Sequence, residues 1–199
     1  RSLSVGTPGH GRLENGRRLA VKGAGYEVIQ LTRGRGFVYG TTELVALVKR
    51  LGRRVARWYP GSTLYVGNLS RRRGGDIPQS VTHNSGRDVD VLFYARDARG
   101  KLARRTSFLR FDRKGRAGEL RFDAARNWAF VKAAITDKEV QVQSILVAHW
   151  LKKKLIRHAK KRKEKRWLIK RAQQVLKHPW GAAPHDDHFH LRVYCSLHE

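Results

Sequence analysis

The segment from His188 to Cys195 alternates polar and apolar residues without a break, and it constrains the fold more than any other stretch. A period of two is the signature of a half-buried strand. It sends Phe189, Leu191, Val193 and Cys195 to one face, the core face, and His188 and His190 to the other. Two imidazoles two residues apart on one strand face can reach a single small centre. His185 stands three residues before His188 and enters from the side, out of the preceding loop.

A second segment supplies what that centre lacks. His83-Asn84-Ser85-Gly86-Arg87-Asp88-Val89-Asp90 puts a histidine in a loop and a carboxylate at the start of a strand, with Gly86 permitting the tight turn between them. Zinc binds histidine nitrogen and carboxylate oxygen at about 2.0–2.2 Å, and a catalytic zinc keeps three protein ligands plus water. His83, Asp90 and one histidine of the terminal strand make such a set and leave the other histidines free for proton transfer. The scattered His10, His149, His158, His178 and His198 read as surface or satisfied residues. Cys195 falls on the strand face opposite His188 and His190, which argues against a nucleophilic thiol.

The rest of the chain predicts a layered support. Thr41 is a candidate N-cap, and Leu44, Leu47, Val48, Leu51 and Val55 follow at helical spacing until Pro60-Gly61. Asp123 caps a second helix that runs to Ala134. Strands are expected at Thr63–Val66, Asp88–Ala95 and Val140–Val147. Shorter extended pieces fall at Gly25–Leu31 and Gly36–Tyr39, and a hairpin joins Ser107–Phe111 to Glu119–Phe122. Residues 149–177 read as two helices with a break near Arg162–Lys165. The expectation is one α+β domain over residues 1–199, with a mostly antiparallel central sheet flanked by helices.

Charge bears on partners rather than on fold. Lys and Arg number 43 against 16 Asp and Glu, a formal net charge of +27. That surplus implies an anionic partner or surface. Ten of the fifteen residues 152–166 are Lys or Arg, but no aromatic is interleaved among them as in single-strand nucleic-acid binders. A solvated helix face is the preferred reading, and no specific nucleic-acid binding is expected. Gly34-Arg35-Gly36 with Gly40-Thr41 lacks the lysine of a phosphate-binding loop. No apolar run approaches the ~20 residues that span a bilayer. A chain that starts at Arg1 and contains no Met reads as a processed or trimmed product, and a signal peptide is expected to have been removed.

His83-x-x-Gly86-x-x-x-Asp90, followed about a hundred residues later by His188-x-His190, resembles a wide group of zinc peptidases. That group includes lysostaphin-type endopeptidases, D-alanyl-D-alanine peptidases and the hedgehog signalling domain. The similarity is closer to penicillin-insensitive murein endopeptidases, through Gly86-Arg87-Asp88-Val89-Asp90 and His185-Asp186-Asp187-His188-Phe189-His190. Ser4-Val5-Gly6-Thr7-Pro8, Gly40-Thr41, Leu64-Tyr65-Val66-Gly67, Gly74-Gly75 and Pro179-Trp180-Gly181 extend it over nearly the whole chain. The resemblance implies one zinc ion held by His83, Asp90 and His190, with His185 and His188 as non-ligand catalytic histidines. It implies hydrolysis of D-Ala–meso-diaminopimelate peptide cross-links in peptidoglycan by metal-activated water, in the periplasm. His188 is expected to take the proton, and His185 or the zinc to stabilise the oxyanion. Departures are Val81, where Ser is frequent two residues before the first histidine, and Ser80, where some relatives carry a further histidine. Trp180, Tyr65 and Asn68 are candidates for a peptide-binding groove. The alternative class is a zinc-stabilised wall-binding or nucleic-acid-binding protein without turnover; retention of His185 and His188 favours the enzyme.

Overall fold

A computed structural model describes residues 1–78, 80–179 and 181–195. The first elements are strands β1 (Leu3–Gly6), β2 (Gly11–Glu14), β3 (Arg17–Arg18), β4 (Lys22–Gly23) and β5 (Tyr26–Val28), then the short helix α1 (Gln30–Arg35). Strand β6 (Tyr39–Gly40), helix α2 (Thr42–Trp58) and strands β7 (Leu64–Val66), β8 (Asp88–Leu92) and β9 (Ala95–Arg96) follow. Next come β10 (Arg116–Ala117), β11 (Leu120–Phe122), α3 (Ala124–Ile135) and β12 (Val142–Leu146). Helices α4 (His149–Lys161) and α5 (Arg166–Val175) and strands β13 (Leu176–Lys177) and β14 (His188–Val193) complete the chain.

The two main helices start where their side chains dictate. The Thr41 hydroxyl accepts from the Leu44 amide of α2, and the Asp123 carboxylate from the Arg126 amide of α3. Each satisfies an amide that the first helical turn leaves without a partner. Along α2, Leu44, Leu47, Val48, Leu51 and Val55 are buried. At roughly 1.5–3 kcal/mol for each aliphatic side chain removed from water, this face outweighs helix propensity in holding α2 down. Helices α3, α4 and α5 pack against one another, and Leu151, Leu155, Leu168 and Val175 join the same core.

The central sheet has seven strands in the order β13-β12-β14-β8-β7-β5-β4. The α+β class is as expected, but the sheet is mixed rather than mostly antiparallel. Strand β5 pairs parallel to β7, and β12 parallel to β13. Each parallel pair is joined through helices, α1 and α2 in one case and α4 and α5 in the other. A helical crossover returns the chain in its original direction, which a hairpin cannot do.

Three local expectations shift. The extended piece expected over Gly25–Leu31 ends at Val28, because α1 begins at Gln30. The expected hairpin arm Ser107–Phe111 is irregular; the arms are β10 and β11, joined by β9 in a separate small sheet. Strand Asp88–Ala95 divides into β8 and β9. The freed segment 103–111 folds against the histidine loop instead, with the Phe111 amide donating to the Asp186 carbonyl at 2.8 Å.

Candidate metal centre

Strands β8 and β14 run antiparallel, with Asp90 directly opposite His190 and Asp88 opposite Arg192. Directly opposed residues project to the same face of a sheet. Val89, Val91, Phe189 and Leu191 therefore pack into the core, while Asp88, Asp90, His188 and His190 share the other face. The loop before β8 brings His83 back over this face. Gly86 holds φ +74°, and a Cβ there would lie 2.7 Å from the Leu13 side chain. His83 itself holds φ +79°, a conformation costly for a residue with a Cβ and one that recurs at functional sites.

The donor atoms of His83, Asp90 and His190 all lie within 4.8 Å of one another, and all three residues are buried. His83 Nε2 is 3.3 Å and His190 Nδ1 3.2 Å from the same oxygen, Asp90 Oδ1. Ligands held at 2.0–2.1 Å in a tetrahedron are about 3.3 Å apart, so these spacings suit a small divalent ion. Neither buried ring nitrogen of His83 has a hydrogen-bond partner among the described residues. A buried polar atom without a partner costs roughly 1–3 kcal/mol, and ligation would relieve it. The donor set and its spacing fit a zinc-type ion.

The surrounding hydrogen bonds orient the rings. A carboxylate flanks each ring nitrogen of His190: Asp88 Oδ1 lies 2.7 Å from Nε2, on the side away from the donor set, and Asp90 Oδ1 lies 3.2 Å from Nδ1. The Arg192 Nε donates to the same Asp88 oxygen at 2.7 Å. Metal-binding histidines are oriented in this way by a carboxylate behind them. Asn68 Nδ2 donates to Asp90 Oδ2 at 3.3 Å, while its own Oδ1 accepts from the Thr32 hydroxyl. Burial pushes the Asp90 carboxyl up, but the charges of His83 and His188 and hydrogen bonds from His188 and His190 outweigh it, leaving it well below the usual carboxylate range.

His188 and His185 flank the triad. His188 Nδ1 is 2.5 Å from Asp187 Oδ1, and its Nε2 is 3.3 Å from Asp90 Oδ1. Burial alone would lower its pKa, yet Asp90 and Asp187 raise it to about 10. His185 differs in kind. Its Nδ1 donates to the Ala183 carbonyl at 2.8 Å, and burial followed by the charges of His188 and His190 lowers its pKa to about 4. The Phe108 ring closes this side, edge-on to His188 at 5.1 Å. Gly67 makes room for it: a Cβ there would meet Phe108 Cζ at 2.7 Å and Asp90 Cβ at 3.0 Å.

Every expected ligand and both expected catalytic histidines thus converge on one face. The groove candidates do not converge in the same way. Asn68 reaches the centre, but through Asp90. Tyr65 lies on β7 beside Glu27 and Arg104, and burial and the Glu27 charge raise its pKa. Trp180 lies outside the described residues. Asp88, Asp187 and Phe108 were not among the expected site residues. Asp88 shares a strand face with Asp90 and was readable from that spacing; Asp187 and Phe108 sit in loops, where no period marks a residue.

A mixed sheet carries a buried two-histidine, one-carboxylate set that could hold a metal ion, with two further histidines beside it. Over residues 4–199 the chain matches the penicillin-insensitive murein endopeptidase family, and it belongs to that family. It is 29% identical over 196 residues to the penicillin-insensitive murein endopeptidase of Haemophilus influenzae. That match takes in 96% of this chain and 63% of the relative's length.

Proposed function

We propose that the chain is a zinc-dependent murein endopeptidase that hydrolyses D-Ala–meso-diaminopimelate cross-links in peptidoglycan. The observation that carries this reading is the pairing of two units on one sheet face: the His83–Asp90–His190 donor set and the His188–Asp187 dyad beside it. When bound, zinc would supply Lewis acidity and a water acidic enough to react near neutral pH. His83, Asp90 and His190 would hold it, with Asp88 orienting the His190 ring. The Asp90 charge that helps hold a second proton on His188 would be committed to the metal, and His188 would then accept the proton of the attacking water at Nε2 while Asp187 keeps the proton on Nδ1 and aims the ring. The same nitrogen then returns the proton to the departing amine. His185, anchored through Nδ1 to the Ala183 carbonyl beside the centre, would help to orient water or substrate there or to stabilise the developing oxyanion. No serine acyl-enzyme enters this scheme, so a β-lactam finds no nucleophile to acylate. Tyr65, Asn68 and Trp180 remain proposed contributors to substrate binding.

Such a substrate lies outside the cytoplasmic membrane, which fits action in the periplasm. Among the described residues no helix is long and apolar enough to cross a membrane. The test is digestion of purified muropeptide dimers, with products weighed by mass spectrometry. Conversion to monomers that stops with chelator and resumes with added zinc is the expected result. Intact dimers in the presence of zinc would refute the activity, and cleavage at another bond would refute the cross-link assignment.

A further inference from the structure

We infer that helix α4 carries a second binding site, a cationic double groove that grips the carboxylates of peptidoglycan beyond the cross-link being cut. The inference rests on the endopeptidase reading for the identity of the polymer. Two cavities flank the exposed ridge of α4. One, of about 380 Å³, lies against the β10–β11 hairpin and takes Lys114, Arg116, Arg121, Lys154, Arg157 and Lys161 into its walls. The other, of about 360 Å³, lies on the α5 side and takes Lys152, Lys153, Arg157 and Lys160. Arg157 belongs to both. No carboxylate lines either cavity, and among the described residues no acid is ion-paired to any of these side chains.

The charge pattern costs the fold something. Lys153, Arg157 and Lys161 follow one another at four-residue intervals, and like charges at that spacing repel on a helix surface. A face shaped only for solubility would intersperse acids; the nearby Glu164 is instead turned inward to Trp128 and Lys132. Clefts lined by one sign of charge focus the field and concentrate counter-charged ligands.

Position and chemistry favour the wall polymer over nucleic acid. The Ala148 amide, at the start of α4, donates to the His185 carbonyl at 2.9 Å. Helix α4 therefore starts against the histidine loop; its cationic residues begin a turn further on, at Lys152, and run about 14 Å to Lys161, at 1.5 Å per helical residue. The ridge lies on the helix side of the sheet, opposite the donor set, so a polymer cross-linked in several directions could meet it with one strand while another sits at the active site, at high effective concentration. The rings lining the grooves are Phe122, held edge-on by Phe93 and Phe111, and the imidazoles of His149 and His158; no Trp or Tyr offers a face for base stacking.

The test compares two triple variants that remove equal charge from exposed positions. R157Q/K160Q/K161Q empties the α4 ridge, and R17Q/R72Q/R73Q strips a separate arginine cluster beside β3. Binding to sacculi is measured by pelleting across a salt series, and turnover is measured on soluble muropeptide dimers. The α4 variant should bind sacculi about tenfold more weakly, the lower end of what one-sign clefts contribute, with a flatter salt dependence and unchanged dimer turnover. The control variant should bind like the parent. Equal loss in both variants would mean net charge alone and overturn the site. On sacculi with amidated carboxyl groups the parent should fall to the level of the α4 variant; a retained advantage would overturn the carboxylate assignment. A larger loss on a single-stranded oligonucleotide than on sacculi would make the groove a nucleic-acid site and overturn the proposal. If the parent cuts no dimer while the α4-specific loss of pelleting persists, the endopeptidase reading fails and the wall-binding groove stands.

Discussion

Asp88 is outside the donor set, yet its carboxylate meets His190 Nε2 and the Arg192 guanidinium together. Asp88→Asn should therefore weaken zinc affinity by about 10–100-fold while the chain stays folded, because outer carboxylates tune their histidine ligands by that much. Competition against a chromogenic chelator measures it, and an unchanged affinity would remove Asp88 from the centre. Asp187 acts on a different nitrogen. Asp187→Asn should leave zinc bound and lower dimer turnover by up to the ~10²–10⁴ that general acid–base catalysis contributes. Loss of metal from this variant would place His188 among the ligands. His83, Asp90, His188 and His190 were legible in the sequence because ligand spacing and strand alternation are local properties. The division of labour between His185 and His188 was not. It depends on which oxygen each Nδ1 meets, Ala183 O or Asp187 Oδ1, and loop conformation alone decides that.

Helix starts were legible at Thr41 and Asp123 because a cap is a contact between near neighbours in the chain. Asp123 does more than cap. Its carboxylate also accepts from Arg96 on β9 and Arg126 on α3, tying the small sheet to the helix layer. Asp123→Ala should cost about 1–2 kcal/mol from the cap alone, read as a lower denaturant midpoint at unchanged slope. A midpoint equal to the parent's would show that the cap is dispensable. The two parallel pairings were not legible, since short strands look alike whether the next element returns by a hairpin or by a helix. Ser107–Phe111 failed as a strand for a related reason. Its apolar residues have a partner other than a sheet: Phe108 packs on His188, and Trp150 Nε1 donates to the Phe111 carbonyl at 2.9 Å. An element that serves the site has no period of its own to reveal it.

At the scale of the molecule, a net charge of +27 opposes compaction, and the few buried acids carry disproportionate weight. Asp137 follows α3 and holds Arg50 of α2 through two hydrogen bonds of 2.8 and 2.9 Å. Burial pushes its carboxyl up, but the Arg50 hydrogen bond and charge bring it below its ordinary value of 3.8. A depressed folded pKa gives stability that is complete above the unfolded value and is lost as pH falls through the folded one. Asp137→Asn should thus lower stability by about 1–3 kcal/mol at pH 7, with the gap to the parent closing below pH 3.8. Urea titrations at two pH values check this; a gap that persists in acid would mean that charge is not its source. The same scale joins fold to chemistry, because the β8–β14 pair is what holds Asp90 and His190, a hundred positions apart, at 3.2 Å. The central claim is that three side chains hold the metal while a fourth, equally close, moves the proton. Zinc content and dimer turnover measured together on His190→Ala and His188→Ala test it most directly. The account predicts His190→Ala without zinc and without turnover, and His188→Ala with one zinc per chain and turnover reduced by about 10²–10⁴. Zinc retained by His190→Ala, or lost from His188→Ala, would contradict it.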